Sequence, residues 1–397
     1  MSYGNYISGR PSFRLEDLFV KRGNFKSIFP LIHQRCFPFF SARYALAAGI
    51  KALGLSPIDK VLLPSYNCGV EIDPFKHFGI KTSFFKIDKT LMVDLDDLRR
   101  RIVGEVKAIL VTHFLGFPQP IEEIKKICME KGIFLIEDCA HALLSGDNGK
   151  ELGSYGDIAI FSLLKTLPVP NGGLLVINNQ GLAFEHNSQR PSFFVTIFYA
   201  SELLKNRTFL NSNNCAGKLT QISYDSFYHS LAMIRMFLAG FRKYLHTSGL
   251  YMVRPDSFAF NDDICSWGMS AISRTILKKT DFERIKRIRR ANFEYLLQYC
   301  LENKREHVLF RELPPGVCPL FFPISLENKE KREQIYRTLK GRGITTHPWW
   351  ELFHPDVPWE EFPDAVDLKN RLFGLPIHQD LSREHLDIVI KEFEAIH

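Results

Sequence analysis

The sequence predicts an α/β protein with a mostly parallel central sheet and helices on both faces. Apolar runs with the length of buried strands alternate with segments of helical periodicity, which is the order of βαβ units. Three such runs, at 133–136, 157–161 and 174–177, follow one another closely, and each adjoins polar or glycine residues. Ligands bind α/β sheets where strands end and loops begin, so we expect this stretch to organise the functional site.

The other elements are predicted from the same patterns along the chain. Ser41 is expected to cap the first long helix, and Gly341 to end the last of those predicted. We predict further strands at 60–63, 81–87, 108–112, 318–324 and 344–347. We predict helices near 15–19 and at 42–53, 94–102, 120–131, 227–245, 270–278, 282–302 and 329–340.

The length of 397 residues indicates two domains, or one large domain with an appendage. We divide the chain into an N-terminal arm (1–29), a large domain (30–180), a mostly helical insertion (181–260), and linking helices with a smaller α+β C-terminal domain (261–397). The arm either crosses to a partner subunit or is a loosely packed terminus.

The insertion combines aromatic runs with a surplus of basic residues. It suits a substrate lid, a subunit contact, a patch on a membrane surface, or a helix packed on the protein's own core. The apolar face of the helix at 227–245 would form an exposed patch of the kind that soluble proteins avoid. We therefore expect this helix to be buried in a lid or subunit contact, and the protein not to bind liposomes.

Composition argues against several classes of function. The net charge of +7 is spread along the chain without a nucleic-acid motif, and it is compatible with an anionic small substrate. The basic segment at 281–290 has the pattern of a solvated helix face. No apolar run predicts a transmembrane segment, and the N-terminus lacks the apolar core of a signal peptide. The eight cysteines lack metal-binding spacing, so we expect free thiols in a reducing cytoplasm and no metal site.

A strand-end acid and a strand-end lysine suggest a chemistry. Asp138 follows the first of the three central runs, and Ser162 and Lys165 follow the second. A lysine amine forms Schiff bases with carbonyl groups, and pyridoxal phosphate (PLP) uses such a lysine together with an acid at its ring nitrogen. The alternative is that Asp138 caps a helix and Lys165 is a solvated loop residue. The surrounding motifs favour the first interpretation.

Five motifs occur in the order found in one family. Lys165 stands seven and eight residues before the pair Gly172 and Gly173. The other four motifs are Phe40-Ser41-Ala42-Arg43-Tyr44-Ala45-Leu46, Asp59-Lys60-Val61-Leu62-Leu63-Pro64, Glu137-Asp138-Cys139-Ala140-His141 and Leu375-Pro376-Ile377-His378. Together they resemble the DegT/DnrJ/EryC1/StrS family of PLP-dependent sugar aminotransferases, over most of residues 30–180 and 260–397.

The resemblance implies aminotransferase fold type I with PLP as the cofactor. Lys165 would form the Schiff base and move a proton, Asp138 would pair the ring nitrogen, and His141 would lie by the ring. The resemblance also assigns cofactor contacts to Ala42, Arg43, Tyr66 and Ser162. A tyrosine in the core is the alternative for Tyr66, and an arginine facing solvent is the alternative for Arg43.

The resemblance further implies a homodimer and a reaction. An amino group would pass from a small-molecule donor, L-glutamate, to a keto sugar, nucleotide-linked, in surface polysaccharide or related glycan biosynthesis. The sequence departs from the family at Ala42-Arg43, where the family has Gly-Thr, and at Asn171, where it has an acid. It also has Ser266-Trp267-Gly268-Met269-Ser270 in place of Asn-Tyr-Arg-Met-Ser. These departures affect phosphate and substrate contacts.

Two alternatives remain open: a PLP enzyme that acts on a non-sugar ketone, and a non-catalytic protein that retains the fold. A dehydratase of the same family would carry His at the lysine position, so Lys165 argues against that activity. We interpret the run His347-Pro348-Trp349-Trp350 as a wall of the active-site mouth. Lone histidines are interpreted as structural, namely His347, His354 and His378.

Overall fold

The structure, a computed structural model, describes residues 6–12, 28–203, 260–303 and 307–396. The helices predicted near 15–19 and at 227–245 lie outside the described residues, as does most of the predicted insertion. In the described ranges, no helix is long and apolar enough to cross a membrane.

A seven-stranded sheet forms the centre of the described structure, in the order β1-β9-β8-β5-β4-β2-β3. Only β9 runs antiparallel to its neighbours in this order, which confirms the predicted mostly parallel α/β sheet. The strands are β1 (Cys36–Phe39), β2 (Lys60–Pro64), β3 (Lys81–Phe85), β4 (Val106–Thr112), β5 (Phe134–Asp138), the hairpin strands β6 (Gly146–Asp147) and β7 (Lys150–Glu151), β8 (Ile158–Ser162) and β9 (Gly173–Ile177).

The helices of this part begin and end where the local sequence favours it. The side chain of Asp94 accepts a hydrogen bond from the backbone N–H of Asp97 and caps α3. Gly132, in the left-handed conformation with φ of 64°, ends α4. Helix α1 packs on β8 and β9, and α4 packs on β5. The helices are α1 (Ala42–Ala52), α2 (Ile72–His77), α3 (Leu95–Arg101), α4 (Ile121–Lys131), α5 (Leu163–Thr166) and α6 (Phe193–Leu203).

The C-terminal part contains a three-stranded antiparallel sheet in the order β10-β12-β11, together with long helices. This agrees in type with the predicted smaller α+β domain, whose limits remain a prediction. The strands are β10 (Phe322–Ser325), β11 (His347–Pro348) and β12 (Leu372–Leu375). The helices are α7 (Ala271–Lys279), α8 (Phe282–Glu302), α9 (Lys329–Gly341), α10 (Pro363–Arg371) and α11 (Arg383–Glu394).

Two strands predicted in this part are wrong in extent. The residues before Phe322 do not join the ladder, because the Cys318 N–H donates to Ser145 Oγ and the Leu320 N–H donates to the Leu115 carbonyl. Ile344 pairs with Ile7 of the N-terminal arm instead of extending β11. In both cases long-range partners take the backbone groups that a strand would have used.

The described arm residues, 6–12, pack on the C-terminal part of their own chain. Backbone hydrogen bonds join Ile7 to Gly343 and Thr345. His347 Nε2 lies 3.2 Å from the Gly9 carbonyl, and His378 Nε2 lies 2.9 Å from the Ser8 carbonyl. Both histidines therefore use a ring N–H to hold the arm, and burial lowers their pKa to about 3 for His347 and about 4 for His378.

The two ends of the predicted insertion meet beside the start of α1. The Gln189 N–H donates to the Ser266 carbonyl at 2.8 Å, and the Gly268 N–H donates to the Gln189 carbonyl at 2.8 Å. The same segment also bonds to the residues before α1, since the Phe40 N–H donates to the Trp267 carbonyl at 2.8 Å. These contacts place Gln189 and the 266–268 segment next to the predicted phosphate turn.

Candidate active site

Asp138 is the last residue of β5, and its side chain is 7% exposed. Its Oδ1 accepts a hydrogen bond of 2.9 Å from the Ala140 N–H. Burial raises the pKa of this carboxyl to about 6, the charge of Lys165 lowers it, and the carboxylate of Glu71 raises it. Asp138 therefore forms the acid end of a charged site at the carboxyl ends of the parallel strands.

Lys165 lies in α5, the single turn of helix that follows β8. Its charge acts on Asp138 at the end of β5, on His141 after β5 and on Cys68 after β2. The structure thus brings together the strand-end acid and the strand-end lysine that the sequence singled out. Lys165 is half-buried within this group rather than extended into solvent.

His141 is buried beside this pair. Its Nδ1 accepts a hydrogen bond of 3.2 Å from the Leu115 N–H, which leaves the proton on Nε2. Burial, with a smaller contribution from Lys165, lowers the pKa of His141 well below its usual value. The ring is therefore neutral at pH 7, and it presents an aromatic face instead of a positive charge.

The predicted phosphate turn lies at the start of α1. Ser41 occupies the N-cap position in an extended conformation, but its side chain makes no capping hydrogen bond, so that part of the prediction is wrong. Ala42 is the first residue of α1 and Arg43 is the second. The amide groups of a first helical turn and the helix dipole favour an anion at this position.

Gly173 allows this turn to approach the sheet. A Cβ atom on Gly173 would lie 2.1 Å from the Ser41 carbonyl carbon and 2.3 Å from the Ala42 nitrogen. Gly173 pairs with Ser162 in the register of β8 and β9. Ser162 is buried, stands at the N-cap of α5 and makes no side-chain cap bond there. The register therefore brings the two predicted phosphate-binding segments to one edge of the sheet.

Three buried polar atoms around this edge have no hydrogen-bond partner within the part of the chain that the structure describes. They are the side-chain oxygens of Asn67 and Thr112 and the amide nitrogen of Asn171. Thr112 lies opposite Asp138 in the ladder of β4 and β5. Buried polar groups are normally hydrogen-bonded. The site thus combines unpaired polar atoms, a carboxylate, an amine and a helix N-terminus that favours anions. This combination fits the groups of PLP.

Asn171 connects the site to α7. Its Oδ1 accepts from the Ser270 N–H at 2.9 Å and from the Ser273 hydroxyl at 3.0 Å. Asn171 departs from the family pattern and Ser270 ends another motif that does so, and the structure places these two residues in direct contact.

An aromatic wall borders the site, and we define it as Tyr66, Phe114, His141, Trp349 and Trp350. The Tyr66 hydroxyl donates to the Trp349 carbonyl at 3.0 Å. The Trp350 ring lies 5.0 Å from the Tyr66 ring and 5.5 Å from the His141 ring. Tyr66 is thus buried, as the core alternative predicts, and the wall includes the two tryptophans that the sequence assigned to the mouth.

Glu137 was not recognised from sequence, although it belongs to the acid motif. Its carboxylate accepts from the backbone N–H groups of Gly153, Tyr155 and Gly156, at 2.8, 2.7 and 2.5 Å. It also lies 3.1 Å from His113 Nε2. Glu137, His113 and Cys139 are residue types that bind metals, and they lie together. Because the carboxylate is occupied by these donors, we assign this cluster to anchoring the loop after β7.

Arg289 corrects a prediction made from the charge pattern. The segment at 281–290 was interpreted as a solvated helix face, but Arg289 is 1% exposed. Its guanidinium donates to the carbonyls of Thr166, Leu320 and Pro319, and to Gln379 Oε1. Gln379 Nε2 also donates to the Thr166 carbonyl, at 3.1 Å. Two side chains from the C-terminal half therefore hold the residue that follows Lys165.

Comparison with known proteins shows which family this region resembles. Residues 31–190 match the model of the DegT/DnrJ/EryC1/StrS aminotransferase family. GDP-perosamine synthase of Vibrio cholerae is 33% identical over 138 residues, which cover 34% of this chain and 38% of that protein. A dTDP-4-dehydro-2,3,6-trideoxy-D-glucose 4-aminotransferase of Saccharopolyspora spinosa is 34% identical over 156 residues, 38% of this chain and 40% of that protein. The chain thus spans about two fifths of the length of these relatives.

The fold is similar to that of solved structures over nearly the whole chain. The PLP-form of a putative sugar aminotransferase, Spr1654 from Streptococcus pneumoniae, superposes with a TM-score of 0.68 at 16% identity. The superposition covers 99% of this chain and 98% of that one. This likeness confirms the predicted fold class, and the family match confirms the resemblance for the four motifs between Phe40 and Gly173. Residues 31–190 of this chain are therefore similar to the DegT/DnrJ/EryC1/StrS aminotransferase family.

Proposed function

We propose that this protein is a PLP-dependent aminotransferase. The observation that carries the proposal is the convergence of Asp138, Lys165 and the start of α1 at one edge of the sheet. Each is the residue type that a different part of PLP requires: an anion at the ring nitrogen, an amine at the carbonyl, and helix amides at the phosphate. The family match over residues 31–190 supports the same assignment.

PLP, when bound, withdraws electrons from the bonds of an amino-acid carbon and so makes its proton removable. The side chain of Asp138 would keep a proton on the ring nitrogen, because a carboxylate stabilises the positive ring through charge and hydrogen bonding. The amine of Lys165 would carry the proton between the reacting carbons. The neutral ring of His141 would pack on the cofactor, and Ala42, Arg43 and Ser162 would bind its phosphate.

We propose L-glutamate as the amino donor and a nucleotide-linked keto sugar as the acceptor, in surface polysaccharide or related glycan biosynthesis. The names of the two relatives, which refer to GDP-linked and dTDP-linked sugars, support this substrate class. The aromatic wall supports it as well, since aromatic rings provide broad apolar contact for a sugar ring. We place the enzyme in the cytoplasm as a homodimer; the seven cysteines of the described ranges are free thiols, which suits a reducing compartment.

The proposal is tested in two steps. Purified protein is reconstituted with PLP, and the absorbance of the cofactor is followed after addition of L-glutamate alone. We expect the spectrum of the aminated cofactor form at one equivalent per chain. A panel of GDP-, dTDP- and UDP-linked keto sugars is then added, and amination is detected by mass spectrometry. Saturable PLP binding with no amination of any sugar or other ketone would contradict the proposal, and Lys165→Ala provides the inactive control.

A further inference from the structure

Lys369 is a buried cation close to the candidate site. It lies in α10, and the residue is 1% exposed. Its Nζ donates to the Asn67 carbonyl at 2.8 Å and to the Leu352 carbonyl at 2.7 Å. These two carbonyls belong to different loops, one after β2 and one after β11. A single ammonium group therefore connects two loops that are far apart in sequence.

Four aromatic rings surround this ammonium, and we call them the aromatic cage. The distances from Lys369 Nζ to the ring centroids are 4.8 Å for Trp359, 5.2 Å for Phe353, and 6.0 Å each for Tyr66 and Trp350. Rings at these distances attract a cation through their electron-rich faces. Tyr66 and Trp350 belong both to the cage and to the aromatic wall of the candidate site.

No carboxylate within the described ranges lies within ion-pair distance of Lys369. Burial lowers the pKa of its ammonium to about 8; the nearby Cys68 and Glu71 raise it, and Arg332 lowers it. An unpaired buried cation is less stable than an apolar side chain of similar size. Methionine would fill the same space without this penalty, so packing alone does not account for a lysine here.

We infer that Lys369 is a positioning residue: it holds the loop after β2 and the loop after β11 together, so that Tyr66 and Trp350 form one wall of the candidate site. A further hydrogen bond joins the same loops, since the Tyr66 hydroxyl donates to the Trp349 carbonyl. When Lys369 is replaced by an apolar residue, the loops keep the Tyr66–Trp349 hydrogen bond and the packing of Tyr66 on Trp350, but they lose both hydrogen bonds to the ammonium. The geometry of the wall is then less restricted, and the ligand that it contacts binds more weakly. The identity of that ligand rests on the proposed function; the coupling of the loops does not.

The test compares Lys369→Met with Lys340→Met, a matched control in which a surface lysine lies over the ring of Tyr336. Hydrogen exchange is measured on the protein without any ligand. In Lys369→Met we expect exchange at 66–71 and 349–353 to accelerate at least tenfold, with exchange in the central sheet unchanged, because the carbonyls of Asn67 and Leu352 lose their donor. Lys340→Met should change neither segment. Tyr66→Phe removes the hydrogen bond to the Trp349 carbonyl. It should accelerate exchange in the same two segments to a smaller extent.

Function is measured separately in the same variants. If the proposed transamination holds, Lys369→Met should raise the KM for the acceptor at least tenfold and change kcat less than threefold. Unchanged exchange in both segments would overturn the inference, and so would a general loss of stability across the sheet. A protein that shows the exchange effect but aminates no sugar would keep the inference and remove the proposed function.

Discussion

The guanidinium of Arg289 donates from Nη2 to the carbonyl of Thr166 at 3.3 Å, across 123 positions of sequence. Thr166 follows Lys165 directly, and Gln379 binds the same carbonyl. The backbone at Lys165 is therefore fixed from the side of α8 and of the loop after β12. These hydrogen bonds restrict the positions that the Lys165 amine can reach. A site whose chemistry depends on one amine requires such a restriction.

Replacement of Arg289 by Met should lower the free energy of unfolding by about 2 to 6 kcal/mol, since the buried carbonyls of Pro319 and Leu320 each lose their donor at about 1 to 3 kcal/mol. Urea denaturation measures this change. Arg287→Met on the exposed side of the same helix is the control, and it should stay within about 0.5 kcal/mol of the parent protein. Equal stability of the two variants would show that the contacts of Arg289 are dispensable.

Lys165→Ala should abolish both transamination and the covalent pyridoxyl label that borohydride reduction leaves on the protein. Reduction followed by peptide mapping should locate the label on Lys165 in the parent protein. Lys369 is the most informative alternative site for the label, because the lowered pKa of its amine favours reactivity. Its amine is buried and donates to two carbonyls, so we expect no label there. A label on Lys369 would refute the assignment of Lys165.

Asp138→Asn should make the protein without cofactor more stable at neutral pH and much less active with it. The folded pKa of about 6 lies above the value for a free aspartate, so ionisation of Asp138 weakens the folded state progressively between about pH 4 and pH 6, and fully above pH 6. Asparagine removes this effect, worth up to about 3 kcal/mol. The gain should be full above pH 6 and disappear as the pH falls to about 4.

Thermal unfolding of both proteins across this range measures the gain, and the rate with L-glutamate should fall by several powers of ten because the ring proton is no longer held. Retained activity in Asp138→Asn would exclude Asp138 from the mechanism. Equal stability of the two proteins at pH 7.5 would show that burial does not raise the pKa of Asp138.

Gly173→Ala should disrupt the phosphate turn. Its Cβ would lie about 2 Å from backbone atoms of Ser41 and Ala42, so the start of α1 has to move away from the sheet. We expect a loss of stability and at least a hundredfold weaker PLP binding, measured by equilibrium dialysis. Gly341→Ala is a matched control, because no atom lies within 4 Å of its Cβ position. Normal PLP affinity in Gly173→Ala would place the phosphate elsewhere.

Arg43→Ala should weaken PLP retention with little effect on the choice of amino donor. The second residue of α1 is well placed to add a full positive charge to the helix end. Dialysis against buffer without PLP measures the retention, and Lys51→Ala in the last turn of the same helix is the control. Unchanged retention together with a higher KM for the acceptor would assign Arg43 to the substrate.

Much of the central sheet follows from local sequence, whereas long-range contacts do not. The strands at 60–63, 108–112 and 157–161 were predicted within one or two residues, because apolar runs bounded by polar residues specify them locally. Strand β1 was missed, since Cys36–Phe39 contains a proline and acquires its strand partners only from β9. Helix α2 was missed because six residues carry too little periodicity.

The residues of the candidate site also fall into two groups: those that the local sequence predicts and those that depend on long-range contacts. Asp138 and Lys165 could be found because motifs with fixed spacing mark them. Arg289 and Lys369 could not, because both look like surface cations until the carbonyls and rings around them are known. A charge pattern along one helix does not tell which basic side chain enters the core.

The two hydrogen bonds between Gln189 and the 266–268 segment form a stem that joins two positions far apart in the sequence. Closing a flexible loop requires only about 0.6 kcal/mol more for each doubling of its length. Evolution can therefore lengthen or shorten the stretch beyond the stem with little effect on the stability of the sheet. Variation in length at this position would reach the neighbourhood of the phosphate turn while leaving the strands unaltered, which makes it a route by which related enzymes can diverge.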